Sequence, residues 1–211
     1  MLPLDRVICL SLSHRGDRRR RLDGEWKEQI AAGNVPNRPI EYFEALTPQT
    51  CLVPGSWSHL PSYYATNLGH LRILEQLWLD DDCNVALVLE DDAKFLPAFT
   101  HGVLPFWGSL QKFAPDWLAV FLGGVYQRSP TPVTASMVLN NGSTQSHAYI
   151  VNRPGIWRLF DHLWCSPHRV VDWAYSDLMG QDKCVYSPSQ WMVTTAAGFS
   201  DNGQGWKEQG T

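Results

Sequence analysis

"ALVLEDDAKF", residues 86–95, is the stretch on which the fold turns. Four apolar residues, Ala86-Leu87-Val88-Leu89, stop at three consecutive carboxylates, Glu90-Asp91-Asp92, before the chain turns apolar again. A short unbroken apolar run that ends so abruptly reads as a strand buried on both faces. Like charges packed this closely repel one another unless something positive sits among them. Side chains alternate along an extended segment, so Glu90 and Asp92 point to one side and Asp91 to the other. Two carboxylates on one side can hold a hard divalent cation, Mg²⁺ or Mn²⁺, through oxygen. The same residues also suit an acidic loop or the first turn of a helix, where negative charge meets the N-terminal dipole.

Upstream, "RVICLSL" (6–12) reads as a buried first strand, "HRGD" as a turn and "RRRRLDGEWKEQIAAG" (18–33) as a helix closed by Gly33. "IEYFEAL" (40–46) reads as a second strand, and 47–61, rich in Pro, Gly and Ser, as a long loop. From Ser62 a helix follows, and the spacing of Leu68, Leu71, Leu74, Leu77 and Trp78 predicts its inward face. Downstream come a helix at 98–113, a buried strand in "DWLAVFLGG" (116–124) and an irregular stretch at 125–145. "SHAYIV" (146–151) is then a strand, "PGIWRLFDHLW" (154–164) a helix and "CVYSP" (184–188) a last strand; 191–211 is a loop or tail. No internal repeat and no long linker divides the chain. The alternation predicts one α/β domain over residues 1–211, with its core at 5–190 and a mostly parallel, mixed sheet flanked by helices. In such open sheets ligands gather at the carboxyl ends of the strands, where the acidic triplet lies.

A chain of 211 residues with 44% hydrophobic and 18% charged content is globular in composition. Its net charge of −4 offers no general attraction for nucleic acid or an anionic membrane. Arg18 to Arg21 spread around a helix circumference, so they read mostly as a solvated face rather than one binding patch. The five cysteines are scattered without metal-ligand spacing, which argues against a zinc site. The apolar start is too short for a signal peptide, and no run reaches the roughly 18 apolar residues needed to span a bilayer. A cytoplasmic protein with reduced thiols is expected.

Several segments occur in a familiar order: "VICLSLSHRGDRRRRL", "NLGHLRILEQLW", "VALVLEDDA", "DWLAVFLGG", "AYIV" and "VVDW". Together they resemble glycosyltransferase family 25, which includes lipopolysaccharide galactosyltransferases and collagen galactosyltransferase domains. The resemblance runs through most of residues 5–190 and is strongest at 5–22 and 66–96. It implies a GT-A-type, Rossmann-like fold, a nucleotide-sugar donor and a divalent metal, Mn²⁺ or Mg²⁺, held by a DxD-type motif. Glu90 and Asp92 match the outer positions of that motif. Asp92 is the implied direct metal ligand, with Glu90 also in the metal set, and Glu90 or Asp91 would face the ribose or the water around the ion.

On the same basis Leu10, Ser11 and Leu12 would border the base and ribose, and Arg15 or Arg18 would meet ribose or phosphate. Arg18 matches a recurrent arginine after an acidic residue, here Asp17. His70 stands where members commonly carry Ser-His, although this chain has Gly69-His70; it would donate to a phosphate or a sugar hydroxyl. Inverting transfer needs a base for the acceptor hydroxyl, usually a carboxylate. Asp172 in "RVVDWAYSDLM" matches the family's acidic residue after two apolar positions, and Asp177 is the second candidate. Asp172 would also serve as a helix N-cap. Trp173 suits either stacking on the acceptor or packing. Ser200 and Asp201 resemble the "SD" segment of some related sugar transferases and would close over the diphosphate or complete the metal shell.

The expected function is metal-dependent transfer of a hexose, galactose or glucose, from a UDP-sugar to an acceptor hydroxyl, with inversion. The acceptor is a glycan, a lipid-linked saccharide, a protein or a modified base, and its pocket must come from the loops at 47–61 and 125–145. The alternative is a non-catalytic member that binds a nucleotide or a glycan. An Mg²⁺-dependent phosphohydrolase is a further rival, but it needs a nucleophilic Asp early in the chain, where only Asp5 and Asp17 stand.

Overall fold

An eight-stranded sheet organises residues 1–200 and 205–207, those that the computed structural model describes. The first half of the chain gives β1 (Arg6–Ser11), α1 (Gly16–Ala31), β2 (Glu41–Glu44), α2 (Pro61–Leu79), β3 (Val85–Glu90), β4 (Ala93–Phe95) and α3 (Pro97–Phe113). Short strands follow: β5 (Ala119–Phe121), β6 (Val125–Tyr126), β7 (Thr131–Pro132), β8 (Met137–Leu139) and β9 (Ser143–Thr144). The rest is β10 (Ala148–Asn152), α4 (Arg153–Trp164), α5 (Val171–Gln181), β11 (Val185–Pro188), β12 (Val193–Thr195), β13 (Gly198–Ser200) and β14 (Gly205–Lys207).

The sheet order is β2-β1-β3-β10-β5-β11-β8-β7. β2, β1 and β3 are mutually parallel, β10 runs antiparallel between β3 and β5, and β8 runs antiparallel to β11 and β7. Six strands therefore share one direction, and β10 and β8 oppose it. The sheet is mixed and mostly parallel in direction, with helices on both faces. Leu22 and Trp26 of α1 and Phe99, Val103, Phe106 and Leu110 of α3 pack with Leu87 and Leu89 on one side. Ile73, Leu74 and Leu77 of α2, with Ile156 and Leu159 of α4 and Tyr175 of α5, cover Ala86 and Val88 on the other. Covering both faces explains why β3 reads as a continuous apolar run.

The inward face of α2 differs from the predicted stripe. Ala65, Gly69, His70, Ile73, Leu74 and Leu77 are buried, whereas Leu68 and Leu71 are half-buried and Trp78 is 37% exposed. Gly69 belongs to this buried face, where a Cβ would sit 2.8 Å from Leu10 Cδ1 and 2.9 Å from Cδ2. Glycine at this position lets the Leu10 side chain of β1 lie against the helix, and His70 beside it is fully buried.

The stretch 125–145 is also more ordered than its composition predicts, holding β6 to β9. Ladders of two or three residues are too short to leave a hydrophobic period. The expected tail from 191 likewise contributes β12, which pairs antiparallel with β4 (Thr195 opposite Ala93) beside the acidic turn. The Ala196 N–H donates to the Asp92 carbonyl at 2.6 Å, and the Met192 N–H to the Leu122 carbonyl at 2.9 Å.

Candidate active site

β3 ends between β1 and β10. The Asp91 N–H donates to the Leu10 carbonyl at 3.2 Å, and the Glu90 N–H to the His147 carbonyl at 2.9 Å. The acidic triplet is thus pinned on both sides at the carboxyl edge of the sheet. Its side chains then take separate surroundings, as strand alternation requires.

Glu90 faces α2 and the start of β10. Its Oε1 accepts from Ser146 Oγ at 2.8 Å and lies 3.4 Å from His70 Nε2. An ionised carboxylate can only accept, so Nε2 carries a proton. His70 Nδ1 lies 3.1 Å from the Tyr149 hydroxyl, and the imidazole is fully buried. Burial alone raises the Glu90 carboxyl pKa, but the His70 hydrogen bond and charge, the Ser146 hydroxyl and the nearby His147 together hold it below its ordinary value.

Asp172, in the first turn of α5, meets the same cluster. Its Oδ1 accepts from the Ser146 N–H at 2.9 Å. Burial, then the Glu90 charge, push its pKa upward against that hydrogen bond. Ser146 therefore bridges two carboxylates, giving its hydroxyl to one and its N–H to the other. Gln145, just before it, holds φ at +79°, a conformation that costs a non-glycine residue about 1 kcal/mol. Such strain persists where surrounding contacts over-determine the backbone.

Asp91 points away, toward α1. Its Oδ1 accepts from the Arg18 guanidinium at 2.5 Å, with the two side chains only 15% and 9% exposed. Arg21 donates to the carbonyls of Asp91 (2.8 Å) and Ala93 (2.9 Å) and to Glu25 (2.8 Å). Arg19 donates to the Ser11 hydroxyl and carbonyl, each at 3.0 Å, and lies over the Tyr42 ring. The solvated face expected for Arg19 to Arg21 is therefore confined to Arg20, which is exposed. Positive charge reaches the triplet from Arg18 and Arg21 of α1, and α2 contributes the His70 contact to Glu90.

The remaining sequence candidates fall as follows. Leu10 and Ser11 are buried, in contact with Gly69 and under Arg19 respectively, while Leu12 is half-buried at the turn. Arg15 donates to Asp17 at 3.3 Å, and that hydrogen bond draws the Asp17 carboxyl down to about 2. Asp177 sits apart from Glu90, accepting from Arg169 at 2.5 Å with Arg128 3.7 Å away. Asp92 is half-buried at the mouth of the turn. Asp201 lies outside the described residues. Among those described, no three carboxylate, imidazole or thiol groups converge as a ready cation cage.

Sequence reasoning missed Ser146, His147 and Gly123. His147 is 2% exposed, and neither ring nitrogen has a hydrogen-bond partner among the described residues. A Cβ on Gly123 would sit 2.5 Å from His147 Nε2 and 2.1 Å from the Val193 carbonyl oxygen. The "GG" after "AVFL" was visible as a turn signal, but its partner β12 is remote in sequence. A groove of about 500 Å³ lined by Arg6, Phe43, Arg72 and Asp80 lies toward the opposite edge of the sheet and holds none of this chemistry.

No family model matches the chain, and no curated protein matches it. Among solved structures it is similar to a glycosyltransferase involved in the glycosylation of the major capsid of PBCV-1. That likeness has 10% identity, 76% of this chain and 67% of the other covered, and a TM-score of 0.39. It is also similar to A197 from STIV, with 13% identity, 98% and 95% covered and a TM-score of 0.49. A third is mouse xyloside xylosyltransferase 1, with 8% identity, 85% and 83% covered and a TM-score of 0.42. With every score below 0.5, none of these three bears on the chemistry of the site.

Proposed function

We propose that the chain is a GT-A-type glycosyltransferase of the family 25 kind, moving a hexose from a UDP-sugar to an acceptor hydroxyl with inversion. One observation carries this reading: two carboxylates, Glu90 and Asp172, share Ser146 at the carboxyl edge of the sheet, and their surroundings drive their proton affinities apart. A pair tuned in opposite directions is a sign of divided acid–base labour. Asp172, whose pKa is raised, suits the base that takes the acceptor proton. Glu90, held ionised by His70 and Ser146, suits a fixed negative charge facing the developing oxocarbenium carbon.

A divalent cation, Mn²⁺ or Mg²⁺, fits this donor set as a shared ion rather than a caged one. Such ions are commonly held by one or two carboxylates together with substrate phosphates and water. Asp92 would hold it, as the position that the resemblance matches to the direct metal ligand of a DxD-type motif, at the turn where Asp91 meets Arg18 and Glu90 meets His70 and Ser146. When bound, it would offset charge on the leaving diphosphate. A thermal-shift panel of UDP-sugars with and without Mn²⁺, repeated on Asp92→Ala, tests the reading. Stabilisation of the wild type by a UDP-sugar and Mn²⁺, lost in the variant, is the expected result. No response to any UDP-sugar, or an identical response from Asp92→Ala, would sink it.

A further inference from the structure

The first turn of α5 is held by a residue of another helix. Val170 stands at the N-cap in extended backbone (φ −65°, ψ 140°) and supplies no side-chain hydrogen bond, so Asp172 lies inside the helix and is not its cap. A helix start leaves N–H groups without partners in the helix itself. Asn67 of α2 answers for one of them. Its Oδ1 accepts from the Val171 N–H at 2.7 Å, and its Nδ2 donates to the Arg169 carbonyl at 2.6 Å. One side-chain amide thus grips the backbone on both sides of Val170, directly before Asp172. Asn67 is only 5% exposed, and its two partners stand 102 and 104 residues away in the chain, so the grip belongs to the fold rather than to a local turn.

Asn67 and His70 are three residues apart on α2 and therefore share one helix face. His70 reaches Glu90, and Asn67 reaches the turn that carries Asp172. Ser146 joins the two ends, giving its hydroxyl to Glu90 and its N–H to Asp172. One helix thus touches both halves of the carboxylate pair, Glu90 directly and Asp172 through its backbone. Capping from α2 also leaves the Asp172 carboxylate to Ser146. Acidic side chains in a first helical turn are drawn to its unpaired N–H groups. Without Asn67, the Val171 N–H would compete with Ser146 for the carboxylate next to it in the chain. A buried N–H left unpaired is costly, which favours that exchange.

We propose that Asn67 is a positioning residue for Asp172, holding the start of α5 so that the carboxylate stays on Ser146; its bearing on turnover rests on the glycosyl-transfer reading above. A second contact to the same helix supplies the control. His162 Nε2 of α4 donates to the Ala174 carbonyl at 2.9 Å and leaves residues 169–171 untouched.

Amide exchange and proton shifts of the full chain labelled with ¹⁵N test the proposal without any substrate. In Asn67→Ala the Ser146 N–H should exchange about tenfold or more faster than in the wild type, measured against Val88 in β3, and its proton shift should move in the same direction as in Asp172→Asn. Asn67→Asp keeps an oxygen for Val171 and loses the donor to Arg169. It should raise the same ratio about threefold or more, and it carries the test if Asn67→Ala does not fold. His162→Phe should leave the ratio within about twofold of the wild type. Wild-type Ser146 exchange in Asn67→Ala, or in Asn67→Asp when it alone folds, overturns the proposal, and so does an equal rise in His162→Phe.

Donor hydrolysis, measured in parallel with UDP-galactose, UDP-glucose and Mn²⁺, separates the two claims. Where either donor is turned over, Asn67→Ala should lower kcat about tenfold or more and hold the donor KM within about threefold, because a displaced base affects the chemical step. A raised KM at unchanged kcat overturns the positioning. A freed Ser146 amide, with no response of the wild type to any UDP-sugar, leaves Asn67 as the anchor of Asp172 and the transfer reading failed. Turnover by the wild type, with Ser146 exchange unchanged in Asn67→Ala, leaves transfer standing and the positioning failed.

Discussion

Removing Arg18 tests whether the acidic turn depends on α1 for its charge balance. In the wild type the Arg18 guanidinium meets Asp91 at 2.5 Å, with 15% and 9% of the side chains exposed. At a charge separation of about 4 Å and an effective dielectric of about 20, the attraction is about 4 kcal/mol, and desolvation of both groups opposes it. Taking away one partner differs from taking away both. Arg18→Met leaves a buried carboxylate among three in sequence, and breaking a buried pair in this way costs about 3–5 kcal/mol. The residual exposure reduces that here to about 2–4 kcal/mol. Arg18→Met/Asp91→Asn removes the charge with its partner and should lie within about 1–2 kcal/mol of wild type. Urea unfolding of the four proteins, followed by far-ultraviolet circular dichroism, gives the cycle directly. A coupling below about 0.5 kcal/mol would mean that the pair behaves like an exposed surface bridge, and the account of α1 as the charge partner would be wrong.

Other outcomes follow from the same geometry. Asp172→Asn should lower kcat by about 10²–10⁴ while donor binding holds, and normal turnover would remove Asp172 as the base. Because burial and Glu90 raise the Asp172 pKa, and a base works ionised, the acid limb of kcat/KM should fall above the ordinary carboxylate value of 3.8; a limb at or below it contradicts the assignment. The Glu90 pKa is lowered on folding, so its stabilisation is present above its ordinary value of 4.5 and is lost as pH falls below it. His70→Phe should therefore destabilise most at neutral pH, with the difference from wild type shrinking below pH 4.5; a pH-independent difference would assign His70 to packing alone. Gly123→Ala, whose Cβ would meet the Val193 carbonyl oxygen at 2.1 Å, should cost about 1–3 kcal/mol or more and free β12 from the sheet edge, read as faster amide exchange at Val193 to Thr195. Unchanged exchange there would refute the close approach.

The parts legible in sequence are those with local signals. The apolar run of β3 located a buried strand and its carboxylates at the ligand edge, because burial on both faces leaves a continuous pattern. Asp172 and His70 were found by resemblance, and the structure brings both to Glu90. The buried face of α2 shares Leu74 and Leu77 with the apolar stripe but also takes in Gly69 and His70, whose neighbours Leu10 and Tyr149 are remote in sequence. Arg19 and Arg21 looked like solvent because charge runs usually are. Their partners, Ser11 and the carbonyls of Asp91 and Ala93, include backbone atoms that no side-chain pattern announces. Ser146 and His147 carried no spacing at all; strand order alone sets them beside Glu90.

The divided triplet changes what a mutation at each position reports. Asp91 is 6% exposed and salt-bridged to α1, so its loss acts through the turn's architecture even though it stands between two candidate site residues. Asp91→Asn paired with Arg18→Met keeps that turn neutral, and under the proposed function it should retain donor binding. Glu90 differs, because Ser146, His70 and the pKa of Asp172 all respond to its charge. Glu90→Gln should lower the Asp172 pKa and move the acid limb of kcat/KM toward 3.8, in addition to any fall in kcat. A fall in kcat without that displacement would mean that the two carboxylates do not sense each other. The shared Ser146 would then be a packing contact, and the proposed division of labour would lose its basis.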